Sequence, residues 1–198
     1  MTRLILIRHG ETDWNRALRI QGSTDIPLNE TGRAQARATA AALRADVDPA
    51  NTLLVASDLS RARETAEIIG AELGLGTPAL SPALRERSYG DAEGLTAAEF
   101  ADRWGEWHTA DVPRAETRAA LRARALAGLQ QVVDDARRGA SAAERTVLVV
   151  AHGALIREVI GHASGDEFPA AGERLANGSA HVVLWERERL RLLSYAAV

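Results

Sequence analysis

The sequence predicts an α/β protein, a three-layer sandwich whose central sheet is mostly parallel and carries helices on both faces. Three short apolar runs support this: Leu4–Ile7, Leu53–Ala56 and Val147–Ala151. A strand covered on both faces reads as a continuous apolar run, not an alternating one. Each run passes at once into polar residues and then into a helical pattern, the βα alternation of a doubly wound sheet. At 198 residues, 46% of them hydrophobic and 26% charged, the chain can bury a sizeable core. One domain over residues 1–198 is expected.

The elements follow in order. After the first run, a helix is expected from about Asn29 to Ala45, through alanine-rich sequence that favours helix. The second run leads into Ser60–Leu73, where Ala62, Ala66, Ile69 and Leu73 recur at helical spacing and Gly74 closes the helix. Thr96-Ala97-Ala98-Glu99 is a capping-box pattern that opens another helix. Thr117–Arg138 reads as a long amphipathic helix, and Ala154–His162 follows the third run. Ser179–Trp185 and Leu190–Tyr195 form a closing hairpin around a charged turn. Residues 89–116 are the least regular stretch, and a lid over the site is expected there.

Composition narrows the function. The 24 basic residues are all arginine, which removes a Schiff-base lysine and the lysine of a P-loop. A net charge of −3 provides no cationic field to gather nucleic acid or an anionic membrane. Cysteine is absent, which excludes disulfides, thiolate metal sites and cysteine nucleophiles. The apolar run near the N-terminus is too short for a secretory segment or a membrane span. A cytoplasmic location is expected.

Ligands of open α/β sheets bind beyond the carboxyl ends of the strands. Here those ends carry Arg8-His9-Gly10, Ser57-Asp58 with Arg61 one turn on, and His152-Gly153. Singly, each piece has an ordinary explanation: a lone histidine is a hydrogen-bonded structural residue, and Asp58 is a helix cap. Together, two histidines and two arginines converge on one crevice. Arginine offers planar paired donors to phosphate oxygens and stays charged. Glycines beside the histidines let backbone N–H groups approach an anion, and a helix N-terminus adds its dipole.

The motif Arg8-His9-Gly10-Glu11-Thr12-Asp13-Trp14-Asn15 resembles the signature of the histidine phosphatase superfamily, in its phosphoglycerate mutase-like branch. The similarity continues through Gln21-Gly22, Ser57-Asp58-Leu59-Ser60-Arg61-Ala62, Glu86-Arg87-Ser88-Tyr89-Gly90 and Val150-Ala151-His152-Gly153. The resemblance implies a phosphohistidine on His9, within a charged pocket completed by His152, Arg8 and Arg61. It implies that Thr12, Asn15, Gln21 and Gly22 line the phosphate and ester oxygens, with Tyr89 and Gly153 also binding substrate. It gives Glu86 the proton transfers, because the position after the second histidine is Gly153 and not an aspartate. No cofactor or metal is implied, and flanking arginines disfavour a dication between His9, His152 and Glu86.

Phosphatase and mutase share this pocket. The stretch Asp91-Ala92-Glu93-Gly94-Leu95 is short and acidic, where mutases of this kind carry a basic insert. A phosphatase acting on a small phosphorylated metabolite is therefore expected. A 2,3-bisphosphoglycerate-dependent phosphoglycerate mutase is the alternative, and an inactive phosphate-binding or scaffolding domain a third reading. A homodimer through a sheet edge would fit the fold.

Overall fold

A computed structural model describes residues 1–107, 109–138, 145–187 and 189–196. The strands are β1 (Thr2–Arg8), β2 (Thr52–Ala56), β3 (Ala79–Leu80), β4 (Arg145–Ala151), β5 (Ala180–Glu186) and β6 (Arg189–Ser194). The helices are α1 (Asp13–Arg16), α2 (Glu30–Leu43), α3 (Ser60–Leu73), α4 (Ala97–Trp104), α5 (Arg118–Arg138) and α6 (Gly153–Ser164). The six strands lie in the order β3-β2-β4-β1-β5-β6. β3, β2, β4 and β1 are parallel, whereas β5 and β6 run antiparallel to their neighbours.

Side-chain alternation along the central strands divides the core. Leu4, Leu6, Val147 and Val149 pack with residues of α5 and α6. Ile5, Ile7, Leu148 and Val150 point the other way and pack with residues of α2 and α3. Both sides of β1 and β4 are thereby covered, which is why their sequences lack alternation.

The predicted helix boundaries have physical counterparts. Asn29 caps α2 by accepting the Gly32 N–H at 2.9 Å, and the helix ends at Leu43, two residues short of the expected end. Gly74 closes α3 in the left-handed conformation at φ +70°. The capping box at Thr96 forms, with Glu99 N–H on the Thr96 hydroxyl and Thr96 N–H on the Glu99 carboxylate. Two elements lie outside the sequence expectation: α1, one turn long, and the two-residue edge strand β3. The stretch expected to be irregular contains a 3₁₀ turn at Gly90–Ala92 and α4, and its ends meet where Tyr89 bridges Ala115.

The sheet order has one functional consequence. β2, β4 and β1 are adjacent and parallel, with Arg8 beside Ala151 and Ala56 beside Val150. The carboxyl ends that carry Arg8-His9, Ser57 and His152 therefore lie side by side.

Candidate active site

The residues after β1 and β4 bring His9 and His152 together, with ring centroids 5.2 Å apart and planes tilted by 60°. Both rings are buried, at 3% and 0% exposure. His9 Nδ1 lies 2.7 Å from the Gly10 carbonyl oxygen. A carbonyl only accepts, so Nδ1 carries the proton and Nε2 is left with its lone pair. Burial, followed by the charges of Arg61 and Arg8, holds His9 well below the ordinary histidine value, against the opposing pull of the Gly10 hydrogen bond. Burial and then Arg61, His9 and Arg8 hold His152 down in the same way. Two neutral imidazoles thus sit among fixed cations.

Arg61 is fully buried on α3. Its Nη1 donates to Thr24 O at 2.8 Å and its Nη2 to Gly22 O at 2.7 Å. Gly22 can present that carbonyl because it adopts φ +60°, and a Cβ there would strike the Glu93 carboxylate. Arg8 bonds through Nη1 to Leu175 O. Among the described residues, four buried nitrogens of these side chains have no partner: Nε of Arg8, Nε of Arg61, and Nδ1 and Nε2 of His152. Gln21 contributes a fifth unpartnered atom, its Oε1. Burial lowers the affinity of both guanidinium groups for their protons, offset in part by the Glu86 charge.

Thr12 and Asn15 form a capping box at the start of α1. Asn15 Oδ1 accepts from Thr12 N–H at 3.2 Å and from the Thr12 hydroxyl at 3.1 Å. Glu86 accepts the N–H groups of Arg87 at 2.9 Å, Ala154 at 3.0 Å and Leu155 at 3.1 Å. Its carboxylate therefore occupies the N-terminus of α6, directly after His152. Tyr89 is half-buried, and the desolvation of its hydroxyl, with Glu86 nearby, raises it above the usual phenol value. Gly153 leaves room for Arg8, since a Cβ there would lie 3.3 Å from Arg8 Nε. A cavity of about 130 Å³ lies against Arg87 and Tyr89, walled by Phe100, Trp107, Val112 and Glu116. A larger cavity of about 580 Å³ lies elsewhere, between α5 and α6. Its Arg118 and Arg122 are already paired with Glu158 at 2.7 and 2.9 Å, so size does not mark the reactive site.

Two sequence expectations need correction, and the acidic segment gains a structural role. Asp58 does not cap α3: it takes a two-pronged ion pair from Arg85 at 2.8 and 2.6 Å. Asp25 accepts the N–H and hydroxyl of Ser60 in its place. The Gly10 N–H is not open to an anion, because it donates to the Thr65 hydroxyl at 3.1 Å. Gly10 serves instead for close approach, as an added Cβ would lie 2.3 Å from Gly32 O. Glu93, in the short acidic segment, is fully engaged. It accepts from the N–H and hydroxyl groups of Ser23 and Thr24 and from Tyr89 N–H.

Two residues escaped the sequence reading. Arg124 on α5 donates to the carbonyls of Ala83, Arg85 and Glu86 and clasps both oxygens of Glu116. It thereby ties the Glu86 segment to the end of the expected lid. Asn177 donates to His9 O at 3.0 Å and Asn15 Oδ1 at 3.3 Å. Its only sequence signal was the Asn177-Gly178 turn pair, which says nothing of a partner 168 residues away.

Comparison with known proteins bears on this arrangement. The model of the histidine phosphatase superfamily (branch 1) matches residues 4–198. A Bacillus subtilis protein described as an uncharacterised phosphatase, PhoE, is 37% identical over 195 residues, 98% of this chain and 94% of that one. A 2,3-bisphosphoglycerate-dependent phosphoglycerate mutase of Gloeobacter violaceus is 32% identical over 94% of this chain and 92% of its own. The solved structure of a mycobacterial glucosyl-3-phosphoglycerate phosphatase complexed with VO₃ superposes over the full length of both chains, at a TM-score of 0.85 and 32% identity.

Proposed function

Because the chain belongs to the histidine phosphatase superfamily, branch 1, we propose that it is a phosphoric monoester hydrolase acting on small phosphorylated metabolites through a phosphohistidine on His9. One observation carries this reading. Around a neutral His9, the Nε atoms of Arg8 and Arg61 and the ring nitrogens of His152 are buried and unpaired. The two guanidinium Nε–H groups and the single ring N–H of neutral His152 are unpaired donors; buried, they cost free energy, and a phosphoryl group brings the acceptor oxygens that relieve them.

In the proposed reaction, His9 Nε2 attacks phosphorus as the P–O ester bond breaks. Glu86 gives a proton to the leaving alkoxide. Water then attacks the phosphohistidine and passes a proton to Glu86, which frees inorganic phosphate and restores His9. Division into two displacements makes each step easier. The transition state is loose, so catalysis consists of positioning and of stabilising charge on the equatorial oxygens. Arg8, Arg61 and His152 supply that stabilisation, while Thr12, Asn15, Gln21, Gly22, Tyr89 and Gly153 line the phosphate and ester oxygens. Substrate oxygens compete with Glu86 for the amides of Ala154 and Leu155, which frees the carboxyl group to turn towards the ester oxygen. The reaction draws on no metal. A cytoplasmic enzyme and a sheet-edge homodimer complete the proposal, the former in keeping with the cysteine-free sequence.

The mutase relative keeps a second reading in view, since Glu86-Arg87-Ser88-Tyr89-Gly90 suits either activity. The test is phosphate release from a panel of phosphomonoesters in excess EDTA, with vanadate as inhibitor. The wild type is expected to turn over in chelator with competitive inhibition, and a folded His9→Ala variant to lose essentially all activity. Turnover by that variant, or a need for added zinc or manganese, would sink the proposal.

A further inference from the structure

The segment from Leu175 to Ser179, which enters β5, touches the site repeatedly. Leu175 O accepts from the Arg8 side chain, Ser179 O accepts Arg8 N–H at 3.0 Å, and Gly178 N–H donates to Arg8 O at 3.0 Å. Asn177 Nδ2 reaches both His9 O and Asn15 Oδ1. We propose that Asn177 is a positioning residue, which locks the Asn15 amide so that its NH₂ group faces the phosphoryl group. The inference rests on the reading of Asn15 as a phosphate ligand.

A side-chain amide has two orientations of nearly equal shape, and only its hydrogen-bond partners distinguish them. The chain of constraint begins at His9 O. A backbone carbonyl only accepts, so Asn177 must present its NH₂ there, at 3.0 Å. The second N–H of that group points to Asn15 and requires an acceptor, which makes the facing atom Oδ1, at 3.3 Å. Thr12 N–H imposes the same choice at 3.2 Å, because a backbone N–H only donates. The Thr12 hydroxyl could reverse its role, but these two donors cannot. A flipped Asn15 would set its own N–H groups against both. Asn15 Nδ2 is thereby turned away from the protein's donors, and it has no acceptor among the described residues. It is free to donate to an anionic oxygen, the stronger class of hydrogen bond.

The segment is also held from behind. Ala196 N–H donates to His181 Nδ1 at 3.1 Å, so His181 Nε2 carries the proton and donates to the Ser179 hydroxyl at 2.9 Å. That hydroxyl donates to Ala176 O at 2.7 Å. Asn177 is thus fixed on a braced turn, which is what a positioning group needs.

A double-mutant cycle read by calorimetric titration of inorganic phosphate tests this, using the full chain and the variants Asn15→Ala, Asn177→Ala and their combination. Either single change is expected to weaken phosphate binding roughly tenfold, the scale of a hydrogen bond to a charged group. In the Asn15→Ala background, Asn177→Ala should add less than about twofold. Asn177→Ser replaces the alanine variant if thermal unfolding shows that the latter does not fold. Additive losses would overturn the inference, since Asn177 would then act without Asn15. Unchanged binding in Asn177→Ala with the wild type binding normally would overturn it as well. A wild type that binds no phosphate would remove the anion site itself, and the inference with it.

Discussion

Glu86 commits its carboxylate to three backbone N–H groups, yet its proposed task is to deliver a proton. That task matters in proportion to the basicity of the leaving group. Replacement of Glu86 by glutamine is therefore expected to lower kcat/KM for an alkyl phosphate by about 10²- to 10⁴-fold, the range of general acid catalysis. An assay with nitrophenyl phosphate, whose leaving group scarcely needs a proton, should show a far smaller loss. Equal losses on the two substrates would reduce Glu86 to an orienting role. The neighbouring histidines need no such help to stay reactive. Burial and two arginines keep His9 in its neutral form at pH values where an ordinary histidine takes up a proton.

Among the elements, the turn before β5 shows how much of a site lies outside its motifs. The blocks around His9, Arg61 and His152 were legible because they lie at, or one turn beyond, the carboxyl ends of β1, β2 and β4, whereas Glu86 was legible only through the family resemblance. The bonds that orient them were not. Asn177 and Arg124 act across 168 and 38 residues of sequence, and such pairings leave no local pattern. Asp58 shows the same limit from the other side: at a helix start it reads as a cap, until Arg85 outcompetes the amides. The brace behind the turn carries its own pH signature. Burial pushes His181 down to about 4, from the ordinary histidine value of 6.5. Between these values the unfolded chain binds a proton that the folded protein refuses. Stability from this group is therefore full above pH 6.5 and is lost as the pH falls towards 4. Two pH units of that window correspond to roughly 3 kcal/mol. In urea unfolding at pH 7 and pH 4.5, His181→Gln should lose about 2 to 3 kcal/mol less than the wild type across that interval. Equal losses would mean that His181 takes up its proton in the folded state.

For the whole molecule, the sequence made the layered α/β architecture legible because β1 and β4 are apolar on both faces and the helices bear caps. It did not reveal strand order, nor β3, whose two exposed residues carry no periodicity at all. Order matters most for function, because it sets β1, β4 and β2 side by side and so assembles the pocket. What the assembled pocket does with its phosphoryl group depends on what surrounds it. A mutase must keep water from the phosphohistidine and hold the reoriented substrate through contacts remote from the phosphate. Such a grip on a carboxylate needs unengaged cations near the 89–116 stretch. Arg114 is paired with Asp91, Arg103 stacks on the Trp104 ring at 4.7 Å, and Arg87 donates to Glu116 O at 2.7 Å. Each of these arginines thus already has a partner, a carboxylate, an indole ring or a backbone carbonyl, in place of the grip that a second substrate would need. Supplied with 3-phosphoglycerate and catalytic 2,3-bisphosphoglycerate, the enzyme should release phosphate faster than it forms 2-phosphoglycerate. Isomerisation that outpaces hydrolysis by tenfold or more would require about 1.4 kcal/mol of discrimination against water. Such a result would mean that these arginines exchange their present partners for substrate, and would assign the chain to the mutases.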